Sequence, residues 1–166
     1  MSYDVTINRL PRSALFDLRG RGEAIASALA PLGLALPEQP NTAVRQGSLE
    51  LFWVGPEHWL LRAPADEEAR LSETLLPASE DAETSLVLVS DAYAVFAVTG
   101  PEADEVLAAA CPLDRRPGRF PSDGVSFTEA FGLKALLIQR PAGAELAVES
   151  SYAELTADRL ARVTGL

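Results

Sequence analysis

The chain has 166 residues, 48% of them hydrophobic, and a mean hydropathy of +0.08, enough apolar content for one compact unit or two small halves and too much for disorder. Its net charge is −10, which argues against a nucleic acid or an anionic membrane as partner, because no cationic surface is present to release counterions. No apolar run approaches the roughly 20 residues that span a bilayer, and the opening MSYDVTINRLPRS has no basic-then-apolar leader, so the expectation is a cytoplasmic protein.

Ser13 to Leu18 has the apolar content of a short strand, and Arg19-Gly-Arg-Gly22 punctuates it. From Glu23 to Leu32, Ala24, Ile25, Ala28, Leu29 and Leu32 recur at helical spacing, and Gly33 stands where a helix C-terminus favours glycine. Residues 35 to 47 are polar and proline-bearing and read as a loop. Leu49–Val54 and His58–Ala63 are β-formers joined by Gly55-Pro56-Glu57, a hairpin pattern. Asp66 to Leu76 reads as a helix with acidic residues at its positive end. An acidic loop at 78–84 then leads into a strand over Thr84–Val89.

The second half starts with a strand over Tyr93–Val98. Gly100 and Pro101 are expected to open a helix, since proline needs no N–H in a first turn. Its buried stripe is Ala103, Val106, Leu107 and Ala110, with Cys111 in the last turn and Pro112 as the stop. Three strands follow at 125–130, 134–139 and 144–149. Ser151 and Glu154 have capping-box spacing at the start of a final helix, for which Tyr152, Leu155, Arg159, Leu160 and Val163 form the expected apolar face. The order is β-α-β-β-α-β followed by β-α-β-β-β-α. It gives an α+β protein of two related ferredoxin-like βαββ halves, about 1–90 and 91–166, with antiparallel sheets covered by helices.

The chemistry-bearing residues are few. His58 is the only histidine and Cys111 the only cysteine, so a standard zinc site cannot be assembled within the chain, and neither residue has a sequence cue to a catalytic partner. A helix C-terminus does not lower a thiol pKa, although Arg115 and Arg116 nearby would. Asp17 and Asp91, near strand ends, are the best carboxylate candidates. Arg19-Gly-Arg-Gly22 before a helix has the look of a phosphate cradle, but it lacks the Walker lysine-serine pair and is no full G-x-G-x-x-G. Phe52, Trp53, Trp59, Phe127 and Phe131 are expected in a sheet core or a contact patch. Catalytic, cofactor-binding and metal residues are therefore expected to be none, which favours a binding or structural subunit. Cys111-Pro112-Leu113-Asp114-Arg115-Arg116 and Arg119-Phe120-Pro121 remain as a proline-broken corner with a local concentration of arginine, a structural turn first and a partner contact second.

Several motifs in order resemble one family. Leu51-Phe-Trp-Val-Gly55-Pro56-Glu-His-Trp59-Leu-Leu61 resembles the LWLGPDEWLL signature of the gamma subunit of heterotetrameric sarcosine oxidase. Val95 to Leu107, with Gly100 and Pro101, followed by Cys111-Pro112-Leu113-Asp114 and Phe120-Pro121, is similar to that family's GP…VL…CPLD…FP segment. The resemblance implies a truncated aminomethyltransferase-like fold. It also implies a non-catalytic accessory subunit that binds no cofactor itself. The larger flavoprotein subunits would be its partners, an alpha-like one especially. FAD, FMN, NAD and tetrahydrofolate would reside on those partners, and sarcosine would be oxidatively demethylated to glycine. The alternatives are a stand-alone folate-binding protein of the same fold and the equivalent subunit of another N-methyl amino acid dehydrogenase.

Overall fold

The computed structural model describes residues 3–80 and 83–165; the middle of the acidic loop expected at 78–84 lies outside them. The chain divides into two compact units, one made of Arg12–Ser90 and the other of residues 3–11 and 91–165. The protein is α+β: each unit is a five-stranded sheet, antiparallel throughout, with two helices packed on it. The connectivity of each is that of a ferredoxin-like half.

In the Arg12–Ser90 unit the strand order is β3-β4-β5-β2-β6. The strands are β2 (Ser13–Gly20), β3 (Ala43–Gln46), β4 (Leu49–Gly55), β5 (His58–Pro64) and β6 (Thr84–Leu88); the helices are α1 (Gly22–Leu29) and α2 (Glu68–Leu75). Alternation along β2 sends Ala14, Phe16 and Leu18 into a core with Leu51, Leu61, Ile25, Leu29, Leu71 and Leu75. Asp17 and Arg19 fall on the opposite face. The helix expected to run to Leu32 ends in a tighter turn at Ala30–Leu32, because Pro31 has no N–H to continue the ladder. Gly33 closes it in the left-handed conformation. The expected loop at 35–47 contains β3, a short, mostly exposed edge strand whose Ala-Val-Arg-Gln sequence carries no alternation to announce it.

In the other unit the order is β1-β7-β10-β9-β8. Its strands are β1 (Thr6–Arg9), β7 (Tyr93–Thr99), β8 (Val125–Ala130), β9 (Leu133–Arg140) and β10 (Gly143–Glu149), with α3 (Ala103–Ala110) and α4 (Ala153–Thr164). Ala94, Phe96 and Val98 meet Leu137, Leu146, Val148, Val106, Leu107 and Leu160 in a second core. Here the division expected from sequence needs correction: β1 sits at the edge of the second half's sheet, with Thr6 opposite Thr99 and Arg9 opposite Phe96. The polar Thr-Ile-Asn-Arg stretch gives no sign of this, because pairing at a solvated edge demands no apolar pattern.

Three local expectations also change. Gly100-Pro101 forms a turn, and α3 starts at Ala103. Cys111 is the first residue past the helix, with an extended backbone (φ −139°, ψ 130°), because the ring of Pro112 excludes the helical region from the residue before it. The Ser151/Glu154 capping box does not form: Ser150–Tyr152 make a tight turn, and the Ser150 hydroxyl donates to the Asp91 carbonyl at 2.6 Å. Glu154 instead accepts from Arg9 at 2.8 Å.

Candidate functional site

The corner from Cys111 to Pro121 is held by several side-chain hydrogen bonds and ion pairs. Cys111 points into the core beneath α3, 4% exposed, with its sulfur 3.5 Å from the Thr128 hydroxyl on β8. Leu113 and Phe120 pack on that core from either end of the loop. Asp114 curls the chain between them. Its carboxylate accepts from the Arg116 backbone N–H at 3.2 Å and from the Arg116 guanidinium at 2.9 and 2.7 Å, the side-chain-to-backbone turn favoured by aspartate. The side-chain hydrogen bonds from Arg116, reinforced by the backbone one, lower the Asp114 pKa to about 2.

Arg115 turns the other way, inward. Its side chain is only 8% exposed. It donates to Gln139 Oε1 on β9 at 3.1 Å, to the carbonyl of Gly143 at 3.0 Å and to Asp104 at 2.9 Å. One planar guanidinium thus joins the loop, the first turn of α3 and both strands of the β9–β10 hairpin, which suits arginine's fixed fork of donors. A groove of about 500 Å³ lies beside it, floored by Ala108, Cys111, Pro112 and Leu113 and edged by charged groups of α3 and the loop. Arg115 and Arg116 are engaged by Asp104 and Asp114 respectively, so the local excess of arginine read from the sequence is mostly neutralised within the corner. Arg119 is exposed and makes no ion pair among the described residues.

The remaining motif residues hold turns. Gly100 has φ +127°, and a Cβ there would lie 2.7 Å from the Asp4 carbonyl oxygen, so the turn that brings β1 to β7 requires glycine. Pro56 and Glu57 make a two-residue hairpin loop closed by the Gly55–His58 pair, with Glu57 at φ 54°, and the register shifts between Trp53 and Gly55. Trp59, 4% exposed, is a core residue, and its indole N–H meets no acceptor among the described residues. Phe52 is buried, whereas Trp53, Phe127 and Phe131 are only half-buried.

Two residues that the sequence reading singled out separately come together. The β2–β5 register puts Arg19 opposite His58, and Asp17, two residues along the same face, accepts from both. Its carboxylate lies 3.1 Å from His58 Nε2 and 2.8 Å from Arg19 Nε. Burial opposes ionisation of Asp17, but the hydrogen bond from Arg19 and the proximity of His58 outweigh it, and its pKa is lowered. The sequence offered no partner for His58 because the two residues are 41 positions apart. His58 and Cys111 belong to different units, each engaged by a partner of its own unit. Nor is Arg19-Gly-Arg-Gly22 a phosphate cradle: Arg19 is held by Asp17, Arg21 pairs with Glu83 at 2.9 Å, and Gly20 (φ +142°) permits close approach of the Glu83 backbone. Among the described residues no group of three or more His, Cys, Asp and Glu could hold a metal ion.

The ion pairs that sequence reading missed follow the same logic of register. Glu50 stands opposite Arg62 across β4–β5 and opposite Arg45 across β3–β4, and it binds both guanidinium groups. Opposite charges in a suspected hairpin were the available signal; the β3 partner was invisible because β3 itself was.

The architecture is aminomethyltransferase-like. The glycine cleavage system aminomethyltransferase T from Bartonella henselae superposes with a TM-score of 0.71 over 96% of this chain and 46% of its own, at 16% identity, a likeness of fold alone. Residues 20–160 match the model of the sarcosine oxidase, gamma subunit family, and the chain belongs to that family. The sarcosine oxidase subunit gamma of Corynebacterium sp. (strain P-1) is 36% identical over 104 residues, 61% of this chain; the alignment spans about half (49%) of that relative's length. A chain of the heterotetrameric sarcosine oxidase from Corynebacterium sp. U-96, solved in complex with pyrrole 2-carboxylate, superposes with a TM-score of 0.86 at 25% identity, covering 97% of this chain and 84% of that one.

Proposed function

We propose that this chain is a non-catalytic accessory subunit of a multi-subunit, flavin-dependent sarcosine oxidase, working in the cytoplasm. In this reading the larger subunits, an alpha-like flavoprotein among them, carry FAD, FMN, NAD and tetrahydrofolate and oxidise sarcosine to glycine. This chain adds folded surface to their assembly and binds no cofactor. The observation that carries the reading is the near full-length superposition on a chain of a heterotetrameric sarcosine oxidase, in a chain whose own family is that enzyme's gamma subunit. The motif residues then serve the shape of the subunit. Gly55, Pro56 and Trp59 form a hairpin and its core, Gly100 and Pro101 a turn, and the 111–121 corner an ion-paired edge on which Arg119 is the exposed arginine left for a partner contact.

Co-expression of the full chain with the three other chains of the assembly tests this. The expected result is a stable four-chain complex with sarcosine-dependent turnover, with no flavin and no turnover in the isolated chain. A chain that never enters the complex, or that oxidises sarcosine alone, overturns it.

A further inference from the structure

Of the apolar face expected for the final helix, Leu160 and Val163 pack on the core, whereas Tyr152, Leu155 and Arg159 are presented to solvent. Tyr152 and Leu155 are 41% and 40% exposed, and Arg159 is exposed one turn further on; the core-facing side is Ala153, Thr156, Leu160 and Thr164. Spacings of three and four residues align Tyr152, Leu155 and Arg159 in one strip along the outer face of α4. Among the described residues only three large hydrophobic side chains are at least 40% exposed, and two of them, Tyr152 and Leu155, are neighbours on this strip. Surface hydrophobics scattered singly carry no message, but two adjacent ones beside an exposed arginine do.

The charges around the strip sharpen the point. The chain has thirteen arginines and twenty-four carboxylates, and among the described residues every arginine except Arg119 and Arg159 stands in an ion pair. The two acidic residues flanking the strip are already engaged: Glu154 by Arg9 at 2.8 Å and Asp158 by Arg162 at 2.8 Å. The outer face of α4 therefore carries two exposed apolar side chains beside an arginine that makes no ion pair among the described residues and feels Asp158 only at longer range, on a protein of net charge −10. Tyrosine and arginine are the residues that most often carry binding energy at protein interfaces.

We infer that the Tyr152–Leu155–Arg159 strip is the docking edge for a different polypeptide, one that offers an apolar surface bearing an aspartate or glutamate for Arg159. A second copy of this chain fits poorly. A strip meeting its own copy would find no free carboxylate for Arg159, since Glu154 and Asp158 are taken, and would bring together two bodies of charge −10. The inference rests on the accessory-subunit reading and identifies the surface through which that reading operates.

The test is competitive assembly. Wild-type full chain and one variant, distinguished by mass, are co-expressed in equal amounts with the three other chains, and their ratio in the purified complex is measured by native mass spectrometry. Arg159→Glu and Leu155→Asp are expected to be depleted at least about tenfold, the scale of a hot-spot contact. Arg159→Lys is expected to retain most incorporation, and Leu76→Asp, an equally exposed position in the other unit, to match wild type. Thermal melting of each isolated variant establishes that it folds; both positions are exposed, and should Leu155→Asp unfold, Arg159→Glu decides alone. Wild-type-like incorporation of Arg159→Glu within a normal complex overturns the docking edge and leaves the accessory-subunit reading standing. Failure of the wild-type chain itself to assemble overturns both. An isolated wild-type chain that forms a dimer broken by Arg159→Glu assigns the strip to a second copy and overturns the inference.

Discussion

Arg115 donates a 2.9 Å hydrogen bond to Asp104 and, with the same guanidinium, 3.1 and 3.0 Å bonds to Gln139 and the Gly143 carbonyl. The two members of the ion pair differ sharply in setting: the Arg115 side chain is 8% exposed and that of Asp104 82%. The pair is asymmetric as a result. Arg115→Ala leaves two part-buried acceptors without a donor and detaches the corner from the hairpin; a loss of about 2–4 kcal/mol is expected in a chemical-denaturation titration. Asp104→Asn acts on an exposed partner, and a loss under about 1 kcal/mol is expected. Equal effects of the two would show that the ion pair, and not the strut to Gln139 and Gly143, holds the loop.

Asp114 gives a pH signature. Its pKa is lowered to about 2 from the usual 3.8 by the hydrogen bonds that Arg116 donates. A group depressed in the folded state favours folding above its unfolded pKa, and that contribution disappears as pH falls through the folded value. Asp114 therefore supports the fold fully above about pH 4 and loses that contribution on descent towards pH 2. In a carbon-detected NMR titration, the Asp114 carboxyl is expected to titrate near 2, and Arg116→Ala to return it towards 3.8.

At Gly100 the constraint is steric. With φ at +127° and the Asp4 carbonyl oxygen 2.7 Å from where a Cβ would stand, Gly100→Ala is expected to cost about 1–3 kcal/mol. The strain falls where β1 meets β7. Hydrogen exchange at Asn8 and Leu10, whose N–H groups face β7, is expected to accelerate more than exchange in β9, which would not follow from a loss spread evenly over the sheet.

Cys111 is expected to be chemically quiet. It is 4% exposed at the foot of a helix, with its sulfur 3.5 Å from the Thr128 hydroxyl. Modification by a water-soluble disulfide reagent should be slow in the folded protein and fast in denaturant, and Cys111→Ala should assemble with the other chains as wild type does. Rapid native-state labelling, or a loss of sarcosine turnover in the Cys111→Ala complex, would give the thiol a role that this geometry does not provide.

Much of the fold was legible because burial leaves a periodic trace. The 3.6-residue recurrence of Ile25 and Leu29, or of Val106, Leu107 and Ala110, locates α1 and α3, and the apolar content of Ser13–Leu18 locates β2. The trace fails where an element packs little. β1 and β3 are polar edge strands, specified by backbone pairing to β7 and β4 rather than by their own side chains. It misleads in part on α4: Leu160 and Val163 do pack inward, but Tyr152 and Leu155 face solvent, and the inner face is completed by Ala153, Thr156 and Thr164.

The sequence by itself determined the α+β class, the two related halves and the turn residues, because local propensity and the spacing of apolar residues act within a few positions. Only the tertiary structure decided which unit owns β1, which carboxylate each arginine meets, and which side of α4 faces solvent. Those depend on strand register and on contacts between residues far apart in the chain, such as Asp17 with His58 or Arg9 with Glu154, whose partners no local pattern names.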